Sequence, residues 1–248
     1  MTRWRGLFFD LFDTVVRFDL ERLPWTQVGD SRRRSTLGPV HAVLTEVWPG
    51  VDLADFRIAL KSVQDEIVAE RDAEWVEVSC DRRFARTLAR LGLPDGGLAT
   101  ALADCHMTLL LGAVVLPPEH RDLLKSLQGR YSMALVSNFD SGRHGRRLLR
   151  DLELLGLFPQ VVLSDEVGRR KPHASLFRVP AQALGLDPAD VLFVGDTPAT
   201  DVHGAHTSGM DTAWVSWGRH PFPAGPVHPT LTLHTLVDLV PALGALLP

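Results

Sequence analysis

The sequence is poor in cysteine and has no long apolar run, and each shortage excludes a class of protein. Its 248 residues include two cysteines, Cys80 and Cys105, which are too few for a disulfide framework and match no metal-site spacing. No apolar run approaches the length of a membrane-spanning helix, since even TLLLGAVVL at 108–116 is too short. The N-terminus meets Asp10 too early for the apolar segment of a secretion signal. We therefore expect a cytoplasmic protein that does not cross a membrane.

Basic residues are also fewer than acidic residues. The 26 lysines and arginines face 30 acidic residues, which gives a formal net charge of −4. A general nucleic-acid-binding protein needs a basic surface, so we expect no nucleic-acid partner. Lysine itself occurs only at Lys61, Lys125 and Lys171. Each lysine is therefore a candidate for a specific role.

Short apolar segments alternate with helical patterns at the start of the chain and over its second half. The strand-like segments are 6–12, 131–137, 160–164, 190–196 and 211–217, and the helical patterns lie around 119–129, 143–155, 173–185 and 200–209. This alternation is typical of a parallel sheet with helices on both faces. The predicted fold class is therefore α/β, with a doubly wound parallel sheet.

The alternation of strands and helices is interrupted between the first and second predicted strands. No convincing buried strand appears there, and helical patterns cover 52–75, 80–92 and 98–112. Asp52 is typical of a helix N-cap, and Gly92 of a C-terminal stop. The sequence thus predicts a helical insert over 18–117 in a core formed by 1–17 and 118–248.

Polar residues follow the ends of the predicted strands. In an open parallel sheet the carboxyl ends of the strands form one edge, where active sites lie. We expect six side chains to converge there: Asp10, Ser137, Asn138, Lys171, Asp196 and Asp201.

These residue types suit a phosphoryl substrate. Asp10 and Asp196 could hold Mg²⁺, which prefers oxygen ligands, and the metal would offset the repulsion between a carboxylate nucleophile and an anionic phosphate. Asp10 could then attack phosphorus. Ser137 and Lys171 could stabilise the oxygens of the transferred group.

Four segments resemble, in order, the four motifs of the haloacid dehalogenase-like (HAD) superfamily of hydrolases. They are DLFDT (10–14), VSN (136–138), RRKP (169–172) and GDTPATDVHGA (195–205). The helical insert is similar to the C1-type cap of that family. The resemblance implies a Rossmannoid core, a Mg²⁺ cofactor and hydrolysis of a small phosphorylated metabolite by a monomer or homodimer.

The resemblance also implies a role for each matched residue. Asp10 is the nucleophile and a metal ligand, Phe12 lends its backbone carbonyl to the metal, and Asp196 is a further ligand. Asp201 completes the metal site, through a water molecule or through the lysine.

On the phosphoryl side, the resemblance assigns substrate binding to three residues. Ser137 and Lys171 bind the phosphoryl group and take part in catalysis, while Asn138 supports their loop.

The first motif departs from the usual family pattern at Phe12. Most phosphatases of the family have Asp-x-Asp there, and the second acid protonates the leaving oxygen and later deprotonates the attacking water. Side chains of a strand alternate between faces, so Asp13 should point away and bond nearby backbone amides as a turn carboxylate. Loss of a general acid/base typically costs roughly 10²–10⁴-fold in rate. A phosphatase would then favour good leaving groups or use an acid from the insert.

The same residues are also compatible with other activities. A 2-haloacid dehalogenase-type hydrolase also has an aromatic residue at position 12, but it lacks the metal-binding acid that Asp196 provides. A phosphonate C–P hydrolase would use a lysine of the insert, where Lys61 is the only one. A catalytically impaired protein that binds a phosphorylated ligand would keep every binding group.

The insert also contains the arginine cluster DSRRRS at 30–35. We expect a solvated loop there. The alternative is a clamp for an anionic substrate tail, because arginine pairs bidentately with carboxylate or phosphate.

Overall fold

The computed structural model describes residues 3–219 and 221–245, and the chain forms two compact units. One unit comprises the chain up to Arg17 and from Val115 onward, and the other comprises Phe18–Val114. The predicted insert and the second unit begin at the same residue, and their ends differ by three residues (117 against 114). No helix in the described ranges is long and apolar enough to cross a membrane.

The first unit is built on a parallel sheet, as predicted, and the sheet has six strands where the sequence indicated five. With elements numbered along the chain, its spatial order is β10 (Leu231–Leu233), β9 (Asp211–Val215), β8 (Val191–Gly195), β1 (Gly6–Phe9), β6 (Ser132–Ser137) and β7 (Gln160–Leu163). The helices of this unit are α5 (Pro118–Leu127), α6 (Gly142–Asp151), α7 (Ser164–Val167), α8 (Ser175–Ala183), α9 (His203–Thr207) and α10 (Leu239–Ala245). The α/β fold class is confirmed. Strand β10 was not predicted.

Strand β1 lies in the middle of the sheet because its residues are apolar on both faces. All four are buried, as are all five residues of β8. Phe8 is in register with Phe193 of β8, and Phe193 meets Phe177 of α8 edge-on at 5.0 Å between ring centroids. Full burial of such a side chain contributes roughly 1.5–3 kcal/mol. Because the residues of these central strands are buried, the first polar side chains occur where the strands end, at the carboxyl edge of the sheet.

The second unit contains four helices, α1 (Leu37–Val47), α2 (Leu53–Glu74), α3 (Cys80–Arg90) and α4 (Leu98–Gly112). Asp52 caps α2 as predicted, since its carboxylate accepts from the backbone N–H of Ala54. Gly92 follows α3 with a left-handed φ of 72°, a conformation that favours glycine. Helix α1 was not predicted.

The remaining short elements complete the chain. Strands β2 (Arg17–Phe18) and β5 (Val114–Val115) pair with each other, and β3 (Trp25–Val28) pairs with β4 (Ser31–Arg34) as an antiparallel hairpin. Single turns of 3₁₀-helix occur at Leu20–Arg22, Leu155–Leu157, Pro188–Asp190 and Leu236–Asp238, and a π-helical turn spans Pro198–Val202.

Candidate active site

All of the predicted site residues line one cavity of about 320 Å³ in the first unit. Asp10 follows β1, Ser137 ends β6, and Asp196 follows β8, so three neighbouring strands deliver polar groups to the same edge. The lining residues are Asp10, Phe12, Asp13, Ser137, Asn138, Arg170, Lys171, Asp196, Thr197, Thr200 and Asp201.

Three buried carboxylates form the centre of this cavity. One oxygen from each of Asp10, Asp196 and Asp201 lies within 4.8 Å of the other two. Lys171 is 2 % exposed, and its Nζ donates to Asp10 Oδ1 at 2.5 Å and forms an ion pair with Asp201 Oδ1 at 2.7 Å. One ammonium group is thus shared by two of the three acids.

The cluster carries more negative charge than its lysine offsets. Burial raises the pKa of Asp10 to about 7, although the positive charge of Lys171 lowers it. The negative charge of Asp201 raises the pKa further. Burial and the charge of Asp201 raise the pKa of Asp196 to about 6. Burial alone would lower the pKa of Lys171, but Asp10 and Asp201 outweigh it and the pKa is raised. Oxygen donors with uncompensated charge fit a hard divalent cation.

Local backbone packing fixes the position of Asp201. The π-helical turn after Asp196 brings Asp201 back over Gly195, where a Cβ atom would lie 2.5 Å from that of Asp201. Only glycine fits at this close approach. Asp201 Oδ2 also accepts from the backbone N–H of Thr197 at 3.0 Å.

The cavity is also lined by Ser137, Asn138 and Lys171. Asn138 brackets the lysine, since its Oδ1 accepts from Lys171 N at 2.6 Å and its Nδ2 donates to Lys171 O at 3.1 Å. Ser137 Oγ is buried and has no hydrogen-bond partner among the described residues. A buried hydroxyl without a partner is rare in folded proteins and is available for a ligand.

The turn after β1 differs from the sequence-based expectation. The strand ends at Phe9, so the alternation of faces does not extend to position 13. Asp13 has a left-handed φ of 57° and lines the same cavity as Asp10. Its exposed carboxylate makes no hydrogen bond or ion pair within residues 3–219 and 221–245, and only its backbone oxygen is engaged, by Trp217 Nε1 at 2.6 Å. The expected bond to nearby amides is therefore not present.

Phe12 has a packing role in this turn. Its ring lies 5.2 Å from that of Phe139, centroid to centroid, beside the loop that follows β6. The aromatic side chain thus lies where the usual acid of the motif would be.

Sequence reasoning missed Arg219. Its Nη2 donates to Asp196 Oδ2 at 3.1 Å and to the backbone oxygen of Asp196 at 3.2 Å. The arginine follows β9 after a turn in which Trp217 and Gly218 have positive φ. A single arginine in a loop has no spacing that marks it, so only the fold reveals this contact.

The predicted arginine loop is a hairpin instead. Arg32 and Arg34 belong to β4, and their guanidinium groups pack over the ring of Trp25 at 5.0 and 4.2 Å. Lys61 is exposed on α2 and pairs with Asp65 four residues later. A separate cavity of about 310 Å³ lies within the helical unit, and Lys61 is among its lining residues.

Comparisons with known proteins identify the family. Residues 102–215 match the family model described as haloacid dehalogenase-like hydrolase. The chain is 25% identical to a glyceraldehyde 3-phosphate phosphatase of Pyrococcus abyssi, over 86% of this chain and 82% of the relative. It is 30% identical to a phosphoglycolate phosphatase of Shigella boydii serotype 4, over 97% of this chain and 92% of the relative.

A solved structure supports the fold. A 2-haloacid dehalogenase from Pseudomonas syringae pv. Tomato superposes with a TM-score of 0.69 at 21% identity, covering 98% of both chains. The family match and the near-complete relative at 30% identity confirm the resemblance that the four motifs predicted. The chain belongs to the haloacid dehalogenase-like hydrolases.

Proposed function

We propose that this protein is a Mg²⁺-dependent phosphatase that acts on a small phosphorylated metabolite, with Asp10 as its nucleophile. The observation that carries the proposal is the buried cluster of Asp10, Asp196 and Asp201 beside Lys171. A hydrolase without a metal would gain nothing from two further acids next to its nucleophile, because their repulsion is costly. The named relatives are phosphatases of small phosphorylated compounds.

The residues present fit a magnesium ion. Asp10 and Asp196 would supply carboxylate oxygens and Phe12 its backbone carbonyl, while Asp201 would stay paired with Lys171 and add negative charge beside the ion. When bound, Mg²⁺ would offset the negative charge of the nucleophile and of the phosphoryl group.

The chain's own residues then account for the reaction. Lys171 and the unpartnered Ser137 Oγ hold the phosphoryl oxygens in line with Asp10. An Asp10 oxygen bonds to phosphorus while the bond to the leaving oxygen breaks, and that oxygen takes a proton. Water then attacks phosphorus, gives up a proton, and releases phosphate and free Asp10.

We infer that Asp13 handles the proton that Phe12 cannot. Asp13 has a left-handed backbone conformation, unlike that of a strand, and it lines the cavity. Its carboxylate has no partner among the described residues. A carboxylate that is not committed to the fold can donate to the leaving oxygen and accept from water. Cytoplasmic location and a monomeric or homodimeric state belong to this proposal as well.

Substitution of Asp13 distinguishes a role in proton transfer from a role in packing. Asp13→Asn should lower kcat for alkyl phosphates by about 10²-fold or more, and it should change kcat for p-nitrophenyl phosphate much less, because that leaving group needs no proton. Adding Phe12→Asp should restore activity on alkyl phosphates. An equal loss on both substrate types, or no loss, would remove Asp13 from the proton transfer.

A substrate panel tests the function itself. Aryl, acyl and alkyl phosphates and 2-haloacids are offered to the wild-type chain with Mg²⁺ or with EDTA, and to Asp10→Asn. Asp72→Asn is the matched control, because Asp72 is exposed in α2 and has no partner among the described residues. We expect phosphate release only with Mg²⁺ and only when Asp10 is intact. Halide release in EDTA would indicate a dehalogenase, and tight binding of a phosphate analogue without turnover would indicate a binding protein.

A further inference from the structure

Arg219 holds the carboxylate that a metal ion needs. Its Nη2 lies 3.1 Å from Asp196 Oδ2 and 3.2 Å from the backbone oxygen of the same residue. Thr197 Oγ1 donates to the other carboxylate oxygen, Oδ1, at 3.1 Å. Both carboxylate oxygens of Asp196 are therefore hydrogen-bonded by groups of the chain itself.

The guanidinium is held in this position by the loop that carries it. Its Nε donates to Ser216 O at 2.9 Å, and Nη2 also lies 3.3 Å from Val215 O. The Arg219 side chain is nevertheless 54% exposed, whereas that of Asp196 is 11% exposed. The arginine side chain is therefore partly in solvent, whereas the carboxylate is mostly buried.

Charge gives this contact a consequence for metal binding. Two of the three carboxylates, Asp10 and Asp201, pair with the ammonium of Lys171, and the third, Asp196, pairs with Arg219, a second cation that cannot lose its proton. A dication at Asp196 would meet this guanidinium as a like charge within a few ångströms, in a partly desolvated site.

We propose that Arg219 competes with the divalent cation for Asp196 and so sets the metal affinity of the site. The inference rests on the proposed function, because it takes Asp196 as a Mg²⁺ ligand. Arg219 is then an internal counter-ion of the metal-free protein, which keeps the acid cluster balanced until the cation displaces it. A supporting role, in which Arg219 orients Asp196 for the metal, predicts a change of the opposite sign when it is removed.

Equilibrium binding of Mg²⁺ without substrate distinguishes the two roles. Isothermal titration of the full chain would compare wild type, Arg219→Gln and Arg219→Lys. The matched control is Arg17→Gln, because the Arg17 guanidinium packs over Trp217 in the same region at 4.1 Å and shows no contact with Asp196. We expect a Kd roughly tenfold lower in Arg219→Gln, since a like charge is removed. Arg219→Lys and Arg17→Gln should stay within about threefold of wild type.

An unchanged or a higher Kd in Arg219→Gln would overturn the inference. Circular dichroism checks that the variant is folded. A measurement on the wild-type protein does not depend on any variant: the Arg219 Nε–H resonance should move when Mg²⁺ is added, and a resonance that stays in place would also overturn it.

The same titration separates this inference from the proposed function. If Asp196→Asn leaves Mg²⁺ binding intact, or if wild type binds no Mg²⁺, the proposed metal site fails and this inference fails with it. If Asp196→Asn abolishes binding while Arg219→Gln leaves Kd unchanged, the metal site stands and only the competition is refuted.

Discussion

Replacing Asp196 by asparagine should stabilise the metal-free protein at neutral and higher pH. The pKa of Asp196 is about 6, against an ordinary value of 3.8, because the carboxylate is buried next to Asp201. That difference of about two units corresponds to roughly 3 kcal/mol, which is what ionisation of this group costs the folded state. This pKa already includes the lowering effect of the half-exposed Arg219, so the loss of that ion pair is not subtracted again.

The expected gain is therefore about 3 kcal/mol, or about 6–12 °C in Tm for a chain of this length. The sign follows from the direction of the shift. Because the folded state binds this proton more tightly than the unfolded chain, protonation stabilises the fold fully below about pH 3.8, and this contribution is lost as the pH rises through about 6. The advantage of Asp196→Asn should be largest at pH 8 and should vanish near pH 4.

Thermal unfolding in EDTA at several pH values measures this difference, with Asp72→Asn as the exposed control. Mg²⁺ should then stabilise wild type by mass action and leave Asp196→Asn unchanged. No gain at pH 8 would refute the view that the carboxylate cluster is electrostatically strained without a metal. A gain of equal size at pH 4 would refute it as well.

Two other substitutions probe the same cavity. Lys171→Met should abolish turnover and lower the free energy of unfolding, measured by urea denaturation, by roughly 3–5 kcal/mol. The reason is that the buried acids Asp10 and Asp201 lose the ammonium group that pairs with them. Unchanged stability would show that the acids are protonated instead. Ser137→Ala should leave the midpoint of the urea unfolding curve almost unchanged, because the Ser137 Oγ has no partner in the described structure. The same variant should lower kcat/KM for phosphate esters by about tenfold or more. Destabilisation without a kinetic effect would argue for a packing role.

The sheet and most of the site could be predicted because both follow from local patterns. Apolar runs mark the strands, and the residue at the end of each strand or directly after it reaches the carboxyl edge, which is how Asp10, Ser137 and Asp196 were found. The hairpin of β3 and β4 escaped prediction because WTQV and SRRR carry no apolar alternation. Its residues lie mostly on the surface, where periodicity carries little information.

The errors at the site have one physical origin, which is the backbone after a strand has ended. The first predicted strand ran over 6–12, but the chain leaves the sheet after Phe9 and turns through a left-handed Asp13. A rule for side-chain alternation cannot apply beyond that point. Arg219 was missed for a similar reason, because its contact with Asp196 joins two loops that are distant in the sequence.

Detection of the phosphorylated enzyme tests the central claim most directly. Wild type and Asp10→Asn would be mixed with acetyl phosphate, with Mg²⁺ or with EDTA, quenched in acid within milliseconds and analysed by peptide mass spectrometry. The account predicts a phosphoryl group on Asp10 in wild type with Mg²⁺, none in EDTA and none in the variant. A phosphoryl group on another residue, or phosphate release with Asp10 never modified, would contradict it.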